Sequence, residues 1–310
     1  MKEPRIVVVG SSNTDMVVKA KRIPVPGETV TGGEFVMAAG GKGANQAVAA
    51  ARLGAQVTFV ARLGRDMFGD QAVENYEKEG IVTDFVLRDS ENHTGVALIM
   101  VDEQGENLIA VASGANHALT PEDVAQAAEQ IRSADVVMLQ LEIPMGTVEF
   151  TAQLAADAGV RVILDPAPAA PLGDALVRRV TYLTPNESEA QRLTGIQVRD
   201  ETSARAAAEK LLKSGARYVV VTLGAKGALV AGPQKAILIP GYAVEARDST
   251  AAGDAFNGGL AAALAKGLPL DEAVREANLA GALSVTRMGA QPSLPTAEEL
   301  RRFAKEVRGR

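Results

Sequence analysis

The sequence predicts an α/β protein in which a mostly parallel sheet lies between helical layers. Short β-branched runs alternate with helical segments for most of the length, and the runs are continuously apolar, as IVVV at residues 6–9 is. Strands of that kind are buried on both faces, which is the situation of a parallel sheet sandwiched by helices and joined by right-handed crossovers.

Each element follows from its local pattern. Residues 5–9 read as a buried strand ending at Gly10. Residues 43–53 are Ala-rich and helical, stopped by Gly54. A strand at 57–62 and a helix at 66–79, stopped by Gly80, come next. Thr120 and Pro121 open another helix: Thr120 caps, Pro121 fills the first turn, and Asp123 is placed to complete a capping box. Beyond it the pattern gives strand 135–141, helix 147–158, strands 160–165 and 181–184, helices 187–193 and 201–214, and strand 217–223. A hairpin at 227–230 and 236–239 precedes helices at 253–266 and 270–286 and one from Thr296. The Ala/Gly-rich run 254–281 calls for closely packed helices.

Two stretches break this rhythm. Residues 15–38 hold strand-like runs and turn signals at Pro24, Pro26, Gly27, Gly32 and Gly33, with no helical period. Residues 94–112 read as a hairpin, VALIMV and NLIAVA around a turn at 102–105. Both are expected to stand outside the main sheet as a small β flap near the carboxyl ends of its strands, where open α/β sheets bind ligands. No internal repeat, low-complexity tract or long linker divides the chain. It is therefore expected to form a single domain over residues 1–310, with lid strands from about 14–38 and 94–112.

Composition narrows the function. With 47% apolar residues, 310 residues can bury a sizeable core, and the net charge of −6 disfavours a nucleic-acid-binding surface. There is no cysteine, so disulfides and thiolate metal sites are excluded, and His93 and His117 are too few for a zinc site of several histidines. The opening MKEPRIVVVG has too short an apolar run for a signal peptide, and no stretch approaches the roughly 20 apolar residues of a membrane span. A cytoplasmic enzyme or binding protein is expected, with no nucleic-acid or membrane partner.

Several segments carry chemistry. In Asp248-Ser-Thr-Ala-Ala-Gly-Asp254, the small residues Ala251, Ala252 and Gly253 let backbone N–H groups approach a ligand at a helix start. Such a start is an anion cradle, and Asp254 beside it can accept the proton of an attacking hydroxyl; the same pattern also serves as a plain helix cap. Ala39-Gly-Gly-Lys-Gly-Ala-Asn-Gln46 offers Lys42 and Asn45 to hydroxyls, or is a tight turn; it lacks the Walker A spacing. Asp15, in Asn13-Thr14-Asp15 after the first strand, can hold a vicinal diol or form an Asx-turn, and Glu142 lies just past another strand end. Asn186 and Glu189 share a helix face that can carry a Mg²⁺ shell through water, or make a capping box. Thr222-Leu-Gly-Ala-Lys-Gly227 can shape a nucleotide pocket or a hairpin turn. Gly10-Ser-Ser-Asn-Thr lacks the G-x-G-x-x-G of an NAD-binding strand–helix turn.

The order of these segments resembles the ribokinase group of the PfkB carbohydrate kinase family, from the first strand to Leu294. The matching pieces are GSSNTD, PVPGETVTG, GGKGANQAVAAARLGA, TGVALIMVDEQGEN, TPNESEAQRLTG, VTLGAKGALV, DSTAAGDAFNGGLAAAL and VTRMGAQPSLP. The resemblance implies a three-layer α/β/α core with a small β-sheet lid that also forms a homodimer contact, and transfer of the ATP γ-phosphoryl to the 5-hydroxyl of D-ribose. By position it makes Asp254 the base and Ala251, Ala252 and Gly253 the anion hole. It makes Asn13, Asp15, Gly41, Lys42, Asn45 and Glu142 the sugar set, and Asn186, Thr222, Gly224, Gly227, Gly253 and Asn278 nucleotide contacts. Glu189 is tied by it to Mg²⁺ and phosphate, and Asp248, Thr250, Ser284, Arg287, Gly289 and Ser293 match a K⁺ site made largely of carbonyls. Two positions depart from the commoner pattern: Ala251 replaces the usual Gly, and Asn278 stands where some ribokinases carry His. Deoxyribose, a nucleoside or another sugar is the alternative substrate; a sensor that kept the fold would be expected to lose Asp254 or its cradle, and both are present.

Overall fold

The continuous apolar runs become the interior strands of a computed structural model that describes residues 3–308. In chain order the elements are β1 (Arg5–Val9), β2 (Asn13–Lys19), β3 (Glu34–Gly40), α1 (Lys42–Arg52), β4 (Gln56–Gly64), α2 (Met67–Lys78), β5 (Val82–Asp89), β6 (Gly95–Val101) and β7 (Asn107–Ala112). There follow α3 (Pro121–Ala125), α4 (Ala128–Ser133), β8 (Val136–Leu139), α5 (Met145–Asp157), β9 (Arg161–Leu164), α6 (Asp174–Val177), β10 (Tyr182–Leu183), α7 (Glu187–Thr194) and α8 (Glu201–Lys213). The last are β11 (Tyr218–Thr222), β12 (Gly227–Ala231), β13 (Ala236–Pro240), α9 (Ala252–Ala265), α10 (Leu270–Ser284) and α11 (Ala297–Arg308).

Nine strands form one sheet in the order β13-β12-β11-β10-β9-β8-β1-β4-β5. It is parallel from β5 to β11, and antiparallel only where β12 and β13 are added. Alternation along β1 shows why its apolar run is unbroken. Ile6 and Val8 enter a core with α1, α9 and α10, while Val7 and Val9 enter a second core on the opposite face with α5 and α8. Both faces are therefore dry, and the three-layer expectation holds. On the first face the helices touch through small residues: a Cβ on Gly258 of α9 would lie 2.4 Å from the Ala49 Cβ of α1.

β2, β3, β6 and β7 form a separate four-stranded sheet in the order β3-β2-β6-β7. β2 and β6 run parallel and the outer pairs antiparallel. Its register sorts residues by face. Asp15, Ala38 and Ala97 share one face; Met16, Met37 and Leu98 share the other, continued by Phe35 and Leu108 at two-residue spacing.

The structure departs from the local patterns in three ways. β5 does not emerge from the apolar period, because as an edge strand of the large sheet it interleaves Asp84 and Arg88 with its apolar residues. The helix opened by Thr120 does carry the expected capping box, but it breaks after α3 and resumes as α4. Several strand ends shorten, so that 181–184 reduces to β10.

Candidate active site

The segments with chemical promise leave the large sheet at the carboxyl ends of its strands. Ser11–Asn13 follows β1, Gln140 and Glu142 follow β8, Asp165 follows β9, Asn186 follows β10, and Thr222 ends β11. Strand order reverses between β1 and β8, so the crevice lies at a topological switch point. The first turns of α1 and α9 bring Lys42, Asn45 and Asp254 to the same place.

Close backbone approach makes this possible. A Cβ on Gly43 would lie 2.5 Å from the Ser11 nitrogen, and one on Gly41 would lie 2.7 Å from the Asn13 nitrogen. Gly41 also has φ +88°, a conformation that costs other residues strain. The start of α1 is then fixed by Glu142, whose Oε2 accepts from the Lys42 amide at 3.0 Å and the Ser11 hydroxyl at 2.5 Å.

Asp254 is buried, and both of its oxygens accept side-chain hydrogen bonds: Asn45 Nδ2 donates to Oδ2 at 2.9 Å and Gln46 Nε2 to Oδ1 at 3.0 Å. Burial pushes its carboxyl above the ordinary aspartate range, opposed by Lys42 and the two amides. Asp165, also buried, accepts from Gln46 at 2.9 Å and lies 3.7 Å from Lys42 Nζ. Burial pushes it up to about 7 against the pull of Lys42, with Asp254 and Glu189 adding to the rise. Burial works against the Lys42 ammonium too, but Asp165, Asp254, Glu142 and Glu189 outweigh it and hold the amine protonated.

Asp15 lies over Gly40 of the neighbouring strand, where a Cβ would come 2.2 Å from its Oδ2. Burial, then the charges of Glu142 and Asp254, push its carboxyl up to about 6. Asn13 Oδ1 is occupied by Asn116 Nδ2 at 2.8 Å, which leaves the Asn13 amide hydrogens for another acceptor. Glu142, Asp165, Glu189 and Asp254 thus surround a single lysine, and Asp15 lies within the field of Glu142 and Asp254. Such a surplus of acceptors suits a ligand rich in hydroxyl donors. An anionic phosphate requires the N–H groups of a helix start instead.

The α9 start supplies those. Ala251 stands at φ +59°, the one non-glycine residue with positive φ among the described residues, and it turns the chain into the helix. The Ala252 amide donates to Ser249 O at 3.2 Å, whereas those of Gly253 and Asp254 lie in the first turn, without carbonyl partners within the helix. No atom lies within 4 Å of a Cβ built on Gly253, so the space above it is open.

Asn186 and Glu189 form the capping box: Glu189 accepts from the Asn186 amide at 2.8 Å and from Asn186 Nδ2 at 2.9 Å. Asn186, beyond β10, forms an isolated parallel bridge with Thr222 at the end of β11, so the two lie side by side. Gly224 and Gly227, both at positive φ, bracket the short turn between β11 and β12. Asn278 stands apart, its Nδ2 donating to the Ile239 and Pro240 carbonyls at 3.2 Å each. Asp248 ties two loops together, accepting from the Thr250 amide at 2.9 Å and the Gly289 amide at 2.7 Å. Ser284 and Ser293 bond nearby carbonyls, and Arg287 pairs with Glu299 of α11 at 2.7 Å. These contacts join the loop before α9 to the loop that follows α10. Among the described residues no three His, Cys, Asp or Glu side chains form a group that could hold a metal ion.

The family model "pfkB family carbohydrate kinase" matches residues 3–297. The chain belongs to that family. The pfkB chain is similar to a ribokinase of Haemophilus influenzae, 46% identical over 97% of this chain and 99% of the relative. It is also similar to a deoxyribokinase of Salmonella typhi, 36% identical over 96% of this chain and 98% of that one. Among solved structures it resembles a ribokinase of Arabidopsis thaliana complexed with ribose and ATP, with TM-score 0.93, 35% identity and coverage of 98% and 99%.

The structure of this pfkB kinase adds residues that the sequence pattern does not single out: Ser11, Gln46, Asn116, Gln140 and Asp165. Asp165 had one legible signal, an acidic residue at the carboxyl end of an apolar strand. Gln46 and Gln140 had none, since each acts on groups about 100 residues away or more. A hollow elsewhere, lined by Tyr218, Gly232, Lys235 and Leu270, contains no buried titratable group and so offers no comparable chemistry.

Proposed function

We propose that the protein phosphorylates D-ribose at its 5-hydroxyl with ATP, releasing ribose 5-phosphate and ADP. One observation carries the reading: the buried Asp254 carboxylate stands in the first turn of α9, where the Gly253 and Asp254 amides lack carbonyl partners within the helix. The sugar lies under the small sheet, which acts as the lid of a single domain. Asp15 accepts from two ring hydroxyls; Asn13, Gly41, Lys42, Asn45 and Glu142 complete the pocket. The nucleotide runs past Asn186, Thr222, Gly224 and Gly227, its γ-phosphate over Gly253 and the neighbouring amides, with Asn278 on the adenine side. Glu189 would hold, through water, the Mg²⁺ that accompanies ATP, and the ion would supply charge neutralisation at the phosphates. Asp254 takes the hydroxyl proton as the phosphoryl group moves roughly in line, and positioning with charge stabilisation does most of the work.

ADP release measured with ribose, 2-deoxyribose, fructose and inosine tests this. Ribose is expected to give the largest kcat/KM; no turnover with any pentose would overturn it. The deoxyribokinase likeness makes 2-deoxyribose the competitor to measure first. The match of Asp248, Thr250, Ser284, Arg287, Gly289 and Ser293 to the family's monovalent-cation positions supports K⁺ activation. Turnover in potassium chloride is expected to exceed that in tetramethylammonium chloride at equal ionic strength; equal rates would remove the site.

The lid supports a homodimer. Its face opposite Asp15 presents exposed Phe35, Met37, Leu98 and Leu108 with no charge among them. A patch of this kind on a sheet is an association surface, and a second copy covers it with itself. Sedimentation at micromolar concentration is expected to show a dimer, and Leu98→Asp a monomer. A monomeric parent protein would refute this arrangement.

A further inference from the structure

Gln46 is fully buried, and each of its polar atoms is committed. Its Nε2 donates at 3.0 Å to Asp254 Oδ1 and at 2.9 Å to Asp165 Oδ2, which uses both amide hydrogens. Its Oε1 accepts from Gln140 Nε2 at 2.6 Å. The orientation of the amide follows from these partners: turned over, it would set an oxygen against two carboxylates and its NH₂ against that of Gln140. Gln140 packs over Gly10, where a Cβ would lie 2.1 Å from Gln140 Oε1, and that buried oxygen has no hydrogen-bond partner. The chain joins the ends of β1 and β8 to the first turns of α1 and α9.

We infer that Gln46 is a positioning residue for phosphoryl transfer. It holds the Asp254 carboxylate in one plane relative to Asp165 and Lys42, and Gln140, by donating to its Oε1, favours this setting of the amide. The inference rests on the reading of Asp254 as the base. With Oδ1 and Oδ2 each accepting one amide hydrogen, the carboxylate cannot rotate, and its remaining lone pairs are left for the sugar hydroxyl. Hydrogen bonds to an ionised carboxylate also favour that ionised form. The charged groups facing Asp254 are Lys42 from α1, Glu142 beyond β8, Asp165 beyond β9 and Asp15 from β2. Of these only Lys42 favours the anion, so loss of an amide donor leaves repulsion and burial less opposed.

The test is the pH profile of kcat at saturating ribose and ATP for Gln46→Met and Gln140→Met, with Asp254→Asn beside them. Methionine keeps the volume of glutamine and removes its donors. Gln46→Met is expected to lower kcat about tenfold at neutral pH, the size of a lost hydrogen bond to a charged group. The acidic limb of its profile moves to higher pH, while KM for ribose stays within about twofold. Gln140→Met, which does not touch Asp254, shifts the limb in the same direction by less. An unshifted limb in both variants overturns the inference, as does a kcat loss uniform across pH. If Gln46→Met does not fold, the Gln140→Met limb decides alone. The parent reading fails separately, through turnover retained by Asp254→Asn.

Discussion

Asp254→Asn is expected to lower kcat by on the order of 10²–10⁴, the range of a general-base contribution, while ribose still binds. Asparagine keeps the size of the side chain and can still accept from Asn45 or Gln46 through its oxygen, so the packing of α1 against α9 should survive. On the proposed reading, what disappears is the oxygen anion that takes the hydroxyl proton beside the amides of Gly253 and Asp254. The measurement is single-turnover phosphorylation together with ribose binding by calorimetry. Near-normal turnover would remove Asp254 from the base role, and loss of binding alone would recast it as a ligand for the sugar.

The second large effect concerns Asp15. Its carboxylate accepts from two hydroxyls in the proposed complex, and charge-assisted hydrogen bonds contribute roughly 1.5–3 kcal/mol each, so Asp15→Asn should raise KM for ribose by about 10²-fold or more. The pH dependence has a defined sign. Asp15 must be ionised to accept from both hydroxyls, and burial with its anionic neighbours raises its pKa to about 6. The kcat/KM for ribose should therefore fall as pH drops below about 6, and the variant should lack that limb.

Stability gives an independent reading of the same group. The folded protein keeps the Asp15 proton up to about 6, whereas an unperturbed aspartate releases it near 3.8. In that window the native state binds more protons, so this group's contribution is favourable at acid pH and is lost as pH rises to about 6. Ligand-free Asp15→Asn should then melt higher than the parent protein at pH 7 to 8. A lower Tm there, with KM unchanged, would show that Asp15 serves the fold and not the sugar.

Features that depend on neighbours three or four residues apart were legible in the chain. The boxes of Thr120 with Asp123 and of Asn186 with Glu189 form because the partners share one helical turn. The small sheet was visible through its broken helical period and the turn at 102–105. The strand β5 was not, because at the sheet edge Asp84 and Arg88 interrupt its apolar residues.

The sequence by itself determined the α/β class, the helix starts, and the segment order that identifies a pfkB kinase, since periodicity and capping are local physics and a motif is a string. Only the tertiary structure decided which groups share the crevice. Gln46 meets Asp165 across 119 residues and Asp254 across 208, and nothing local distinguishes a glutamine that bridges two buried acids from one that fills a helix. The carboxylates there acquire unusual proton affinity from one another and from exclusion of water. Both arise only when the strand ends are brought together.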